Sequence, residues 1–122
     1  MSSNGSDKKD ENKVEEPAFA YSIELTPAEV RERIRAYFAT QKAVKRAWLF
    51  GSFARGDQDE NSDVDILIDV DMDAHITLFD LAEYQEVLQN TLKRKVDFAM
   101  IGALREAFRK NIANDLVLVH EA

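Results

Sequence analysis

Cysteine is absent from the 122-residue chain, which removes disulfides and thiolate chemistry and fits a reducing cytoplasm. Histidine occurs only at His75 and His120; neither has a partner at ligand spacing, so neither is a candidate metal ligand or general base. No apolar run approaches the roughly eighteen residues that cross a bilayer, and the first residues do not read as a signal peptide. The expectation is a cytoplasmic protein without a membrane partner. Positive charge is also scarce: 16 Lys and Arg face 23 Asp and Glu, a net charge of −7. The first 20 residues contribute −2 and the remainder −5. A protein that grips long nucleic acid shows a basic patch or excess, so direct binding of this kind is not expected.

What remains is enough for one domain, with 45% hydrophobic residues to build a core. Residues 1–22 are polar and acidic, too poor in apolar groups to offset their ordering entropy, and are expected to form a disordered tail ahead of a domain at 23–122. Thr26-Pro27-Ala28-Glu29 combines a capping Thr, a first-turn Pro and a Glu three residues on. It predicts a helix to about Thr40 that buries Val30, Ile34 and Tyr37 or Phe38. Residues 44–50 read as a first strand, with Lys45 and Arg46 on the surface and Trp48 and Phe50 sharing a core face. Thr77 and Asp80 cap a later helix whose expected apolar stripe is Leu78, Leu81, Leu88 and Leu92. Residues 103–111 and beyond read as a helix turning Leu104, Ala107, Phe108 and Ile112 inward. Residues 116–119 are too short to assign to strand or helix.

The chemistry is concentrated in Gly51-Ser52-Phe53-Ala54-Arg55-Gly56 and, after a polar loop, Asp63-Val64-Asp65-Ile66-Leu67-Ile68. Side chains alternate along a strand, so Val64, Ile66, Ile68 and Val70 share one face while Asp63 and Asp65 stand together on the other. Carboxylates this close repel unless a cation or a proton sits between them. All-oxygen ligands suit Mg²⁺, which keeps waters and completes its shell with substrate phosphates. The Gly51-Ser52 turn offers backbone N–H groups, a hydroxyl and close approach for an anion, and Arg55 adds a forked positive charge. Asp69, Asp71 and Asp73 are read as solvated loop acids. Lys93-Arg94-Lys95 is either an exposed helix end or a triphosphate contact. It precedes a third strand in which Val96, Phe98 and Met100 face the core and Asp97 points away. If that strand lies beside the second, Asp97 joins Asp63 and Asp65.

Gly51-Ser52, ten residues, then Asp63-x-Asp65 resembles the signature of the DNA-polymerase-beta-like nucleotidyltransferase superfamily. The string GSFARG…SDVDILID is similar to that of its minimal nucleotidyltransferase (MNT) members, many of them antitoxins paired with HEPN-domain toxins. The resemblance implies an α/β (α+β) fold, a small mixed sheet of three to four strands packed with helices, while the polar loop at residues 57–61 by itself predicts a second strand antiparallel to the first. It also implies Asp63, Asp65 and Asp97 as catalytic and metal-holding acids, with two Mg²⁺ ions. Gly51, Ser52 and Arg55 would bind the phosphates of ATP, and a tyrosine hydroxyl of a cognate HEPN RNase toxin would accept AMP. Two other functions keep the same fold: an antitoxin that blocks its partner sterically, and a small-molecule transferase of the aminoglycoside type. The second is disfavoured because the chain has no room for the helical domain that shapes such an acceptor pocket.

Overall fold

Thr26 starts the first element of the computed structural model, which describes residues 25–122; the tail expected at 1–22 lies outside the described residues. The Thr26 hydroxyl accepts from the Glu29 N–H at 3.1 Å and the Glu29 carboxylate accepts from the Thr26 N–H at 2.8 Å. This reciprocal cap satisfies two donors that a helix start otherwise leaves open. Helix α1 follows over Pro27–Phe38 and buries Val30, Ile34 and Phe38. Strand β1 is Val44–Phe50, the short helix α2 is Ser52–Arg55 and strand β2 is Val64–Val70. Helix α3, Leu78–Leu92, opens on a second capping box between Thr77 and Asp80. Strand β3, Val96–Met100, helix α4, Glu106–Ile112, and strand β4, Val117–Glu121, complete the chain.

The four strands form one mixed sheet in the order β3-β2-β1-β4. Strand β1 runs antiparallel to β2 and β4, while β2 and β3 are parallel, with α3 as the crossover that a parallel pair requires. The undecided segment thus resolves as strand from Val117, and β4 gives β1 a partner on its second edge. The main core fills the space between one sheet face and α1 and α3, where Ile34, Val44, Val64, Ile66, Ile68, Leu88 and Val96 are fully buried. Truncating such a residue as Leu88 to Ala costs about 2–5 kcal/mol. A smaller cluster of Phe50, Leu67 and Ile112 covers part of the other face, and Trp48 packs against it. Among the described residues no helix is long and apolar enough to cross a membrane.

Three expectations need correction. Asp69 is not a loop acid: it lies within β2, paired in register with Arg46, whose Nε donates to its Oδ2 at 3.1 Å. Leu78 does not join the buried stripe of α3 and is 82% exposed. It follows the capping Thr77 in the first turn of α3, and burial runs through Tyr84, Leu88 and Leu92 instead. Helix α4 begins at Glu106 after a 3₁₀ turn at Ile101–Ala103, and only Ile112 of it is buried. Phe108 stays 40% exposed, docked edge-on against Phe50 with ring centres 5.9 Å apart.

Candidate active site

Strand β1 delivers the chain to Gly51, and the turn there requires glycine twice over. Its φ of 74° and ψ of −153° lie where L side chains are strained. A Cβ at this position would also stand 2.4 Å from Oδ2 of Asp65, well inside contact distance. The turn and the carboxylate are therefore packed directly together. Ser52 begins α2, which Gly56 closes in the left-handed region with its N–H donating to the Ser52 carbonyl at 2.9 Å.

Strand pairing then lines up the acids. The antiparallel register sets Phe50 opposite Asp65, which is why Asp65 meets Gly51, the next residue of β1's chain. The parallel register sets Asp97 opposite Asp65. Asp63, half-buried, precedes the first residue of β2. Burial pushes the Asp65 carboxyl above the usual Asp range, the Asp97 and Asp63 charges push it further, and Arg55 opposes them. The condition set by the sequence, that β3 lie beside β2, is met.

Among the described residues, no hydrogen bond or ion pair engages the side chains of Asp63, Asp65 or Asp97. Nor do any three His, Cys, Asp or Glu side chains among them close on one point as a finished metal cage. Neighbouring half-buried carboxylates with no hydrogen-bonded cation among the described residues fit an ion such as Mg²⁺, which needs one or two protein carboxylates and completes its shell with water and substrate phosphate. They do not fit a structural ion enclosed by protein.

Arg55 is exposed on α2. Its Nε donates to Asp57 at 3.1 Å and its Nη1 to Asp115 at 3.3 Å, which ties α2 to the turn before β4 while its charge still reaches Asp65. The basic triplet resolves into separate tasks. Lys93 caps α3 in the left-handed region. Arg94 donates from Nη1 to the carbonyls of Asp59 and Ser62, each at 2.9 Å, and lies 5.0 Å from the centre of the Phe53 ring. One guanidinium thus braces the loop that leads into Asp63 against the helix that follows Gly51. The sequence marks Arg94 only as part of the basic triplet, a helix end or a triphosphate contact, and not as this brace, because these carbonyls lie more than thirty residues away.

The profile of the family described as "Polymerase beta, Nucleotidyltransferase" matches residues 32–122. The protein adenylyltransferase MntA of Thermococcus cleftensis is 34% identical over 91 residues, covering 75% of this chain and 82% of that protein. A chain from a toxin–antitoxin crystal structure with AMP-PNP superposes with a TM-score of 0.62 at 18% identity, over 75% of this chain and 73% of that one. A chain from a tri-AMPylated Shewanella oneidensis HEPN toxin in complex with an MNT antitoxin gives a TM-score of 0.59 at 13% identity, over 79% and 73%. At these identities the two structures establish a shared fold.

Proposed function

The chain belongs to the polymerase beta nucleotidyltransferase family, and on that premise we propose that it transfers AMP from ATP to a tyrosine hydroxyl of a cognate HEPN-domain toxin, serving as the antitoxin of the pair. The observation that carries this reading is the alignment of Asp97 with Asp65 across β2 and β3 while Gly51 packs against the Asp65 carboxylate. In this reading Gly51 and Ser52 serve as the phosphate-accepting turn beside the paired acids Asp65 and Asp97. The protein acceptor is supported by the adenylyltransferase relative from Thermococcus, and the HEPN toxin by the complex with an MNT antitoxin.

In this reading Gly51 and Ser52 receive the terminal phosphates through backbone N–H groups and the Ser52 hydroxyl, with Arg55 as a further positive charge. Asp63, Asp65 and Asp97 would hold the Mg²⁺ ions, and the metal would supply neutralisation of the triphosphate charge and of the charge that develops on the α-phosphate. Asp97 takes the proton of the attacking hydroxyl. The hydroxyl oxygen bonds to the α-phosphorus, the bond from that phosphorus to the bridging oxygen breaks, and pyrophosphate leaves. The three acids and the turn act together by orientation, which is the larger part of catalysis when little covalent chemistry is asked of the protein.

The test is to incubate the protein with ATP, Mg²⁺ and the purified toxin of its own operon and weigh the toxin by mass spectrometry. An added AMP on tyrosine, absent with Asp63→Asn, is the expected result. Transfer undiminished in Asp63→Asn and Asp65→Asn would overturn the assignment of the acids. Neutralisation of the toxin without modification would replace catalysis by steric blocking.

A further inference from the structure

Asp63 stands between two backbone anchors, and both come from the segment that leads into β3. On its N-terminal side the Ser62 carbonyl accepts from Arg94 Nη1 at 2.9 Å. On its C-terminal side the Val64 N–H donates to the Lys95 carbonyl at 2.9 Å. Two residues after Lys95 comes Asp97, which the parallel register sets opposite Asp65. The Arg94-Lys95 pair thus sets where the first acid stands relative to the other two.

The Asp59–Ser62 turn that Arg94 grips is closed within itself. The Ser62 N–H donates to the Asp59 carbonyl at 3.1 Å, the Asn61 N–H to the Asp59 carboxylate at 2.8 Å, and the Asp59 N–H to the Ser62 hydroxyl at 2.9 Å. A turn tied in this way moves as one piece, so a donor that holds the carbonyls at both its ends holds Asp63 with it. The same guanidinium lies over the ring of Phe53, 5.0 Å from its centre. Phe53 is 2% exposed and sits in α2 one residue after Ser52. A planar guanidinium can donate to carbonyls and lie on an aromatic face at once, whereas an ammonium offers a point charge. An arginine engaged on both counts is part of the scaffold of the site.

We infer that Arg94 is a positioning residue for the transfer reaction: through the Asp59 and Ser62 carbonyls and the Phe53 ring it holds Asp63 where that acid can share a cation with Asp65 and Asp97, and it does not bind the triphosphate. The role rests on the adenylyl-transfer reading and adds to it the residue that assembles the site. Groups that orient metal-holding side chains without touching the metal commonly matter about 10–100-fold to affinity or rate. The Gly51-Ser52 turn, placed by β1 and by its own glycine geometry, does not depend on this brace for binding phosphate.

Arg94→Met keeps an aliphatic stem against Phe53 and removes the donors. It is expected to lower kcat for toxin labelling about tenfold or more and to raise the Mg²⁺ concentration at half-maximal rate by a similar factor. Mn²⁺ binding beside a non-transferable ATP analogue, followed by electron paramagnetic resonance, weakens in step. Affinity for a fluorescent ATP analogue in a chelating buffer stays within about twofold. Arg94→Lys, which restores a charge and a donor but not the fork, recovers part of both losses. A drop in metal-free nucleotide affinity that matches the lost rate would make Arg94 a phosphate ligand and overturn the inference. So would an Arg94→Met protein that melts lower yet keeps the wild-type kcat and Mn²⁺ affinity. If Arg94→Met does not fold, Arg94→Lys carries the same readings, and wild-type values in both overturn the role. Should the wild-type chain label no toxin, the parent reading fails, and Mn²⁺ binding alone decides this one, with no difference between wild type and variant as the overturning result.

Discussion

Strand β2 carries carboxylates near both ends, and the protein treats them in opposite ways. Asp69, near the C-terminal end, accepts hydrogen bonds from the Arg46 guanidinium, supplied in register by β1. Asp65, near the N-terminal end, faces Phe50 and Asp97 in the neighbouring strands and has no hydrogen-bonding cation among the described residues. The residue type, the strand and the sheet are the same. Only the cross-strand partner differs, and with it the electrostatics. Burial and like charge raise the Asp65 carboxyl, which an ion pair would have prevented. A carboxylate that the fold leaves unpartnered beside two others is a standing cost to stability, and such costs persist where a ligand is meant to supply the missing charge.

The largest effect should come from removing that carboxylate. Asp65→Asn keeps the shape and the strand but abolishes the charge, and AMP transfer should fall by about 10³-fold or more, read as the initial rate of toxin labelling. Gly51→Ala comes next. Its methyl would collide with the Asp65 carboxylate, 2.4 Å away, and would hold a strained φ of 74°. A displacement on the order of 1 Å in the acid should reduce transfer about 10²-fold, with a loss of about 1–2 kcal/mol in unfolding free energy from the backbone. A Gly51→Ala protein with the wild-type rate would mean that the close packing of turn and acid is incidental.

How far these contrasts were legible in the sequence depends on the range of the interaction. The capping boxes at Thr26 and Thr77, the span of β1 and the alternation in β2 are local patterns, and each appears where its spacing places it. Asp97 was legible only conditionally, because its worth depends on β3 pairing with β2 in parallel, a long-range fact. Arg46 with Asp69 and Arg94 with the 59–62 carbonyls were not legible, since sequence spacing carries no record of which loop or strand a long cation meets. Leu78 misled for a related reason. Its spacing suggests the apolar stripe, but of α3 only Tyr84, Leu88 and Leu92 are buried, and periodicity says nothing of where the opposing surface stops.

A smaller effect separates the two ends by pH. Because the folded-state pKa of Asp65 is raised, the native protein holds an extra proton between the ordinary Asp value and the raised one. Its contribution to stability is fully present below the ordinary value and is lost as pH rises through the raised value. Metal-free Asp65→Asn should therefore melt at a higher temperature than wild type at pH 7, and the gap should close as pH falls below the usual carboxylate range. Differential scanning calorimetry in a chelating buffer checks this, and a variant that melts lower at pH 7 would deny that Asp65 is held against its preference. Inactive yet stabilised is the signature of a group kept for function.

The smallest effect is expected at the paired end, and it asks whether a bare carboxylate on β2 is costly in itself. In Asp69→Asn, Arg46 is left 45% exposed and free to hydrate, so the change should lie within about 1 kcal/mol, as for other pairs near the surface. Arg46→Met does the reverse. It strips the partner from Asp69, whose side chain is only 17% exposed, and removes a guanidinium 5.6 Å from the Trp48 ring. Of the two, Arg46→Met should therefore cost more, because an unpaired and largely buried charge is worse than an unpaired hydrated one. Urea midpoints at pH 7 give both values, and AMP transfer should stay within about twofold in each, since neither residue reaches the acids. If Arg46→Met proved as mild as Asp69→Asn, β2 would tolerate an unpaired carboxylate at either end, and the missing cation beside Asp65 would no longer argue for a ligand.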